Sequence, residues 1–100
     1  MSDTPLSKTQ TSFYRRLFVA HLIAHDIASV PAIIAATGMP RRTAQDTITA
    51  LGELEIVCEF QREEGQRNNI GHYVICDWGP INAQWVADNA ERLQKALGYA

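Results

Sequence analysis

The stretch Thr37-Gly38-Met39-Pro40-Arg41-Arg42-Thr43-Ala44-Gln45-Asp46-Thr47-Ile48 predicts a tight turn followed by a helix. Gly38 supplies the positive φ that a turn between two helices needs, and Met39 is the apolar residue that packs the turn on the core. Pro40 suits the first turn of a helix, because the N–H that proline lacks would have no helical partner there. The buried face of the predicted helix consists of Ala44, Ile48 and Leu51.

The opposite face of this helix is polar. It carries Arg41, Arg42, Gln45 and Thr49. Guanidinium, amide and hydroxyl groups are the groups that contact phosphates and the edges of bases. Two arginines at the positive end of a helix dipole are mildly unfavourable for the helix itself. An anionic partner therefore explains their placement better than simple solvation does.

Two further helices are predicted upstream of this helix. Residues 9–27 form a long helix that is apolar on most of its circumference, and Pro31 to Thr37 form a short one with Ser29 as a candidate N-cap. The helix after the turn is predicted from about Pro40 to Leu54, with fraying at Gly52 because glycine weakens a helix interior. Together, the short helix, the turn and the helix from Pro40 form a helix-turn-helix.

A hairpin and a last helix are predicted downstream. Residues 56–62 alternate between apolar and polar, residues 63–69 form a polar loop, and residues 70–78 return as a second strand. A hairpin directly after a helix-turn-helix is a wing. The last helix is predicted to start at Pro80 and to be amphipathic. The first-strand positions predicted to face the core are Ile56, Cys58 and Phe60.

The long first helix must be covered on more than one side, because its apolar residues spread around it. The last helix packs on the first helix, on a second copy of the chain, or on both. We therefore predict a homodimer made by the first and last helices. Its predicted interface residues are Phe13, Leu17, Phe18, Trp85, Val86, Leu93 and Leu97.

The composition is that of an ordinary globular protein. The 100 residues, 46% of them hydrophobic, are enough for one domain with a single modest core. We expect residues 1–8 to be a flexible tail, residues 9–79 a winged domain and residues 80–100 a packing or dimerisation helix within the same unit. The chain has neither a membrane-length apolar run nor a signal-peptide pattern, which predicts a cytoplasmic location without membrane contact.

The charge balance limits how nucleic acid could be bound. The formal net charge is -2 and the pI is about 5.8, whereas a nucleic-acid binder that works through bulk electrostatics is basic. DNA would have to be held by a few well-placed contacts with strong salt sensitivity. The acidic pI also favours an alternative, in which the same fold serves as a protein-interaction module that binds a protein partner and no DNA.

Neither catalysis nor a cofactor is predicted. Cys58 and Cys76 are expected to be buried reduced thiols, with a redox pair on facing strands as the less favoured hypothesis. His21 and His25, with Asp26 beside them, have an i, i+4 spacing that can hold a metal, but the metalloprotease motif is absent, and His72 and the cysteines lie on another element, so no metal site is predicted. Catalytic triads, phosphate-binding loops and paired carboxylates are missing from the sequence, which argues against an enzyme.

The chain resembles the winged helix-turn-helix superfamily and, more narrowly, a family of small bacterial stand-alone winged-helix proteins of unknown function. The resemblance covers roughly residues 10–97. Its matching pieces are the stretch from Thr37 to Ile48 and the segment His72-Tyr73-Val74-Ile75-Cys76-Asp77-Trp78-Gly79-Pro80-Ile81-Asn82. It implies a mostly helical α+β winged helix-turn-helix with a long N-terminal helix, a two-stranded wing and an extra C-terminal helix.

The resemblance also implies a function, that of a DNA-binding transcriptional regulator. Members of the superfamily typically insert the second helix of the motif in the major groove of double-stranded DNA and lay the wing on the backbone. By position, the residues facing the groove would be Arg41, Arg42, Gln45 and Thr49. The wing contacts would be Arg62, Arg67 and Asn68.

Overall fold

The chain starts with a long helix. A computed structural model describes residues 6–62 and 71–99, and in it helix α1 spans Lys8–Ala24. Ser7 caps this helix: its hydroxyl accepts from the Gln10 backbone N–H at 3.0 Å, while the Gln10 side chain accepts from the Ser7 N–H at 2.9 Å. This reciprocal pair satisfies two amides that have no partner within the helix, so α1 begins one residue earlier than predicted.

The predicted helix-turn-helix is present. Helix α2 spans Val30–Thr37 and ends at Gly38, which has a φ of 78° as the turn requires. Helix α3 spans Arg41–Ala50 and continues into a 3₁₀ turn over Leu51–Leu54. That tighter turn contains Gly52, where fraying was expected. The predicted inward residues, all buried, are Met39, Ala44, Ile48 and Leu51.

The predicted wing is an antiparallel hairpin. Strand β1 spans Val57–Arg62 and strand β2 spans Gly71–Asp77, and the register places Phe60 opposite Tyr73. The backbone N–H of Tyr73 also donates to the carbonyl of Ala28 at 2.8 Å, which ties β2 to the segment before α2.

The prediction that Phe60 faces the core is wrong, because its side chain is 43% exposed. The apolar alternation of β1 continues beyond the edge of the core, and the Phe60 ring packs edge-on against Tyr73 with centroids 5.0 Å apart.

The prediction of one last helix starting at Pro80 is also wrong. Two short helices are present, α4 over Ala83–Asp88 and α5 over Ala90–Leu97. The side chain of Asn82 accepts from the Trp85 backbone N–H at 3.0 Å and makes Asn82 the N-cap of α4. Asn89 separates the two helices, and its side-chain amide donates to the Trp85 carbonyl at 2.8 Å. Such side-chain bonds compete with the helical backbone pattern.

The core is built around α1, which packs against α3, α4, α5 and β2 of its own chain. The second cover that α1 requires is therefore supplied by the C-terminal helices of the same protomer. In the part of the chain that is described, none of the helices is long and apolar enough to cross a bilayer. The side chains at the centre of the core are Leu17, Val19, Ile33, Leu51, Val86 and Leu93.

Candidate nucleic-acid interface

The outward face of α3 is the candidate interface. Thr47 is buried together with Ala44 and Ile48, so the opposite side of α3 faces the solvent. The Thr49 hydroxyl donates to the Gln45 carbonyl within the helix at 3.1 Å. Because a hydroxyl oxygen has two lone pairs, it can still accept a bond from outside. The side chains exposed on this face include Arg41, Arg42, Gln45 and Thr49, as predicted.

The N-terminal end of α3 is open to an anion. Its N-cap is Pro40, which offers no side-chain acceptor, and the first turn contains no acidic residue. The first amide to bond within the helix is that of Ala44, which donates to the Pro40 carbonyl at 3.0 Å. The amides of the first turn, together with Arg41 and Arg42, therefore present positive potential outward.

One acidic residue is close to these arginines. The Arg42 Nε lies 3.8 Å from a carboxylate oxygen of Asp46, one helical turn later, and both side chains are highly exposed. An exposed i, i+4 ion pair contributes at most about 0.5 kcal/mol. A phosphate oxygen could therefore replace Asp46 as the partner of Arg42 at little cost.

The hairpin borders one side of α3. A cavity of about 480 Å³ lies between α3 and the sheet, lined by Gln45, Thr49, Cys58 and Tyr73 among others. Arg62, one of the predicted wing contacts, is exposed at the end of β1. The other two predicted wing contacts, Arg67 and Asn68, lie outside the described residues.

The two cysteines differ in their surroundings. Cys58 stands opposite Ile75 in the register, whereas Cys76 is the extra residue of β2 at the register shift between Val57 and Cys58. Cys58 is half-buried but Cys76 is exposed, so the expectation of two buried thiols is wrong for Cys76. Burial, together with the neighbouring Cys76 and Glu59, raises the pKa of the Cys58 thiol to about 11. This arrangement does not favour a redox pair.

The histidine pair of α1 is packed together. The imidazole centroids of His21 and His25 are 4.2 Å apart, and a ring nitrogen of His25 lies 2.9 Å from the His21 carbonyl. Burial, and then the nearby His25, lowers the pKa of His21. Over residues 6–62 and 71–99, no three histidine, cysteine or carboxylate side chains are grouped closely enough to hold a metal.

The predicted dimer residues divide into two groups. Leu17, Phe18, Val86 and Leu93 are buried inside the protomer. Phe13 is 37% exposed and Trp85 41% exposed, whereas Leu97 is partly buried against the core. A dimer through this surface would therefore rest on the exposed aromatic residues.

Sequence reasoning missed a second basic surface, on the α1 side of α3. Lys8, Ser12, Arg15 and Arg16 follow one another at helical spacing and line two adjoining cavities there. Their spacing in the sequence, i, i+4, i+7 and i+8, places them on one face of a helix and could have been used to predict this polar stripe.

A helix-turn-helix followed by an antiparallel hairpin, with an exposed basic face on the second helix, defines a winged helix-turn-helix protein. Comparison with known families agrees: a family model described as winged helix-turn helix matches residues 8–97, and the chain belongs to this family. The resemblance and the fold predicted from the sequence are confirmed. Membership suggests DNA binding, and the fold is typically non-enzymatic.

A solved structure shares the whole architecture. It is the crystal structure, at 2.50 Å resolution, of a DUF2131 family protein from Shewanella amazonensis. The two chains are 36% identical and superpose with a TM-score of 0.87, covering 94% of this chain and 96% of the other. The search of curated proteins returned no match.

Proposed function

We propose that this protein binds double-stranded DNA sequence-specifically, as a transcriptional regulator, with α3 in the major groove. The observation that carries the proposal is the outward face of α3. Arg41, Arg42, Gln45 and Thr49 are all exposed on it, with an uncapped helix N-terminus at one end. Membership of a winged helix-turn-helix family supports the same conclusion.

The chemistry of this face suits base reading. The major groove is about 12 Å wide and admits one α-helix. In it, an arginine can bond the two acceptors of guanine, and a glutamine can bond adenine in the same bidentate way. The amides at the start of α3 would meet a backbone phosphate. Arg41 or Arg42 is the candidate for guanine, and Gln45 the candidate for adenine.

The test is fluorescence anisotropy of labelled duplexes, titrated at several salt concentrations. One duplex carries the upstream region of the protein's own gene and another a mixed sequence. If both arginines contact phosphates, the Arg41→Ala, Arg42→Ala double variant should lower the salt slope of log K by about 1.8, or about 0.9 per contact. If one of them reads guanine, binding to the preferred sequence should fall by about 1–3 kcal/mol.

A matched control changes the charge by two units elsewhere. Lys95 is exposed on α5, which packs on α1 and α4. The Lys95→Glu variant has the same net charge as the α3 double variant, so it reports the general electrostatic effect. Equal losses of affinity in these two variants would contradict a specific role for α3.

We also propose that the protein acts as a homodimer. Exposed aromatic side chains support this: Phe13 of α1 is 37% exposed and Trp85 of α4 is 41% exposed, and the half-buried Tyr14 lies beside Phe13 with ring centroids 6.4 Å apart. The guanidinium of Arg92 lies 5.9 Å from the Tyr14 ring and 5.4 Å from the Trp85 ring. A two-fold dimer would read two half-sites about 34–36 Å apart or at a multiple of that spacing. A monomeric wild-type protein at micromolar concentration in light scattering would contradict the proposal.

The alternative function is a protein-interaction module that binds no DNA. The net charge of -2 favours it, because bulk electrostatics would then repel DNA. The same anisotropy experiment separates the two functions. Failure to bind mixed-sequence DNA even at low salt would favour the alternative, and a search for a protein partner would follow.

A further inference from the structure

A cationic cleft lies along the N-terminal half of α1, beside α3. One cavity of about 230 Å³ is lined by Ser12, Arg15 and Arg16 of α1 and by Thr43 and Asp46 of α3, among others. A second, of about 270 Å³, shares Ser12 and Arg15 with the first and adds Lys8 and Thr11. We call the two together the α1 cleft. Each is smaller than the roughly 300–1,000 Å³ of a typical small-molecule pocket, so each suits a single chemical group.

Arg15 has a hydrogen-bond donor that nothing satisfies in the described part of the chain. Its Nε is buried and has no partner there. Leaving a buried donor unpaired is unfavourable, and a nearby bound ion is one explanation for such a group in a folded protein. Arg16 differs, because it lies 3.5 Å from the Glu53 carboxylate. Arg15 and Lys8 are therefore the cations available to a bound anion.

The position of the cleft relative to α3 indicates which anion. Gln45 and Thr49 line the cavity on the hairpin side of α3, whereas Thr43 and Asp46 line the cleft on the α1 side. At 3.6 residues per turn, Arg42 lies between these two flanks. The outward ridge of α3 is thus bordered by the hairpin on one side and by the α1 cleft on the other. A helix in the major groove has a phosphate backbone on each side of it.

We propose that the α1 cleft binds a backbone phosphate of DNA, on the strand opposite the one that the hairpin faces. Lys8 and Arg15 supply positive charge, and the hydroxyls of Ser12 and Thr43 supply further donors. The inference rests on the proposed function, since the phosphate reaches the cleft only when α3 occupies the groove.

Asp46 lowers the affinity of the cleft for the phosphate. Its carboxylate lines the same cavity, and it would repel a phosphate bound there. The inference therefore predicts opposite effects for two substitutions: Arg15→Ala weakens binding, and Asp46→Asn strengthens it. Asp46 also pairs with Arg42, so Asp46→Asn is compared in the Arg42→Ala background, where that pair no longer exists.

The experiment measures the salt dependence of binding to a mixed-sequence duplex for the full chain. Arg15→Ala should lower the salt slope of log K by about 0.9 and weaken binding to all sequences alike. Over a fourfold rise in salt, the affinity of this variant should then fall by a factor about 3.5 times smaller than that of the wild type. Arg15→Lys keeps the charge and should keep the slope, and Lys95→Ala on α5 serves as the control without effect. Circular dichroism verifies that each variant is folded.

The outcomes separate the two proposals. If the wild type does not bind any duplex at low salt, both the proposed function and the cleft fail. If the wild type binds, and the Arg41→Ala, Arg42→Ala variant loses binding while Arg15→Ala keeps the full slope, only the cleft fails. The cleft proposal would also be overturned if the double variant Arg42→Ala, Asp46→Asn binds DNA no more tightly than the single variant Arg42→Ala does.

Discussion

Gly38 and Gly79 share a left-handed backbone but differ in their surroundings, which makes a quantitative test of the fold possible. Their φ values are 78° and 59°. A Cβ built on Gly38 would meet no heavy atom within 4 Å, whereas one on Gly79 would lie 2.2 Å from the carbonyl oxygen of Glu55. Gly79 therefore allows the chain after β2 to pass against the end of the 3₁₀ turn.

The two alanine variants should consequently differ in stability. At Gly38, an alanine incurs only the left-handed conformation, which costs about 1–2 kcal/mol. At Gly79, it also collides with backbone that must shift, and such overpacking adds about 1–3 kcal/mol. A third variant should raise the stability. Gly52 has no positive φ and no neighbour within 4 Å of a Cβ, so Gly52→Ala should stabilise the fold by about 0.4–1 kcal/mol.

Thermal unfolding followed by circular dichroism at 222 nm measures all three variants. In a domain of this size, each 1 kcal/mol shifts the melting temperature by about 4–8 °C, so the expected order is resolvable. Equal stabilities for Gly38→Ala and Gly79→Ala would refute the close approach between Gly79 and Glu55. A destabilised Gly52→Ala would refute the open geometry of the 3₁₀ turn.

Three further predictions concern other parts of the fold. Because burial and then His25 lower the pKa of His21 below the ordinary value of 6.5, the folded protein binds fewer protons than the unfolded chain as pH falls through 6.5. The free energy of unfolding should therefore decrease as the pH is lowered through that range. In urea titrations at several pH values, His21→Gln should make this decrease smaller; an unchanged dependence on pH would contradict the prediction. Cys76 should react faster than Cys58 with a thiol reagent in the native protein, because Cys76 is exposed whereas Cys58 is half-buried and burial raises its pKa to about 11; equal rates would show that Cys58 is accessible. Ser29→Ala should lower the free energy of unfolding by about 1 kcal/mol and Ser29→Gly by only a few tenths, because Ser29 caps α2; no loss in the Ser29→Ala variant would mean that the cap bond contributes nothing.

The helix-turn-helix could be predicted from the sequence because its signals are local. A glycine that needs a positive φ, a proline at a helix start and an apolar stripe at helical spacing act within a few residues of one another. Gly38, Met39 and Ala44 all behave as their types predict. The outward placement of Arg41 and Arg42 follows from the same helical phase.

The remaining features depend on contacts that sequence periodicity does not contain. Phe60 continues the alternation of β1, but the core ends before its position, so period alone assigned it to the wrong environment. The break at Asn89 arises from a side chain that bonds the helix backbone, in a segment whose apolar spacing is continuous. The α1 cleft was missed because it needs α1 and α3 side by side, which is tertiary information.

The hydrogen bond between the Tyr73 N–H and the Ala28 carbonyl helps to set the distance between the hairpin and α3. It fastens the middle of β2 to the short connection between α1 and α2. The separation between hairpin and α3 is therefore governed by that connection, several residues before the turn, as well as by the residues between α3 and β1. Inserting one residue between Asp26 and Ser29 would displace the hairpin while leaving the turn at Gly38 intact. Related chains could adjust the span that they cover on a partner by changing this connection alone.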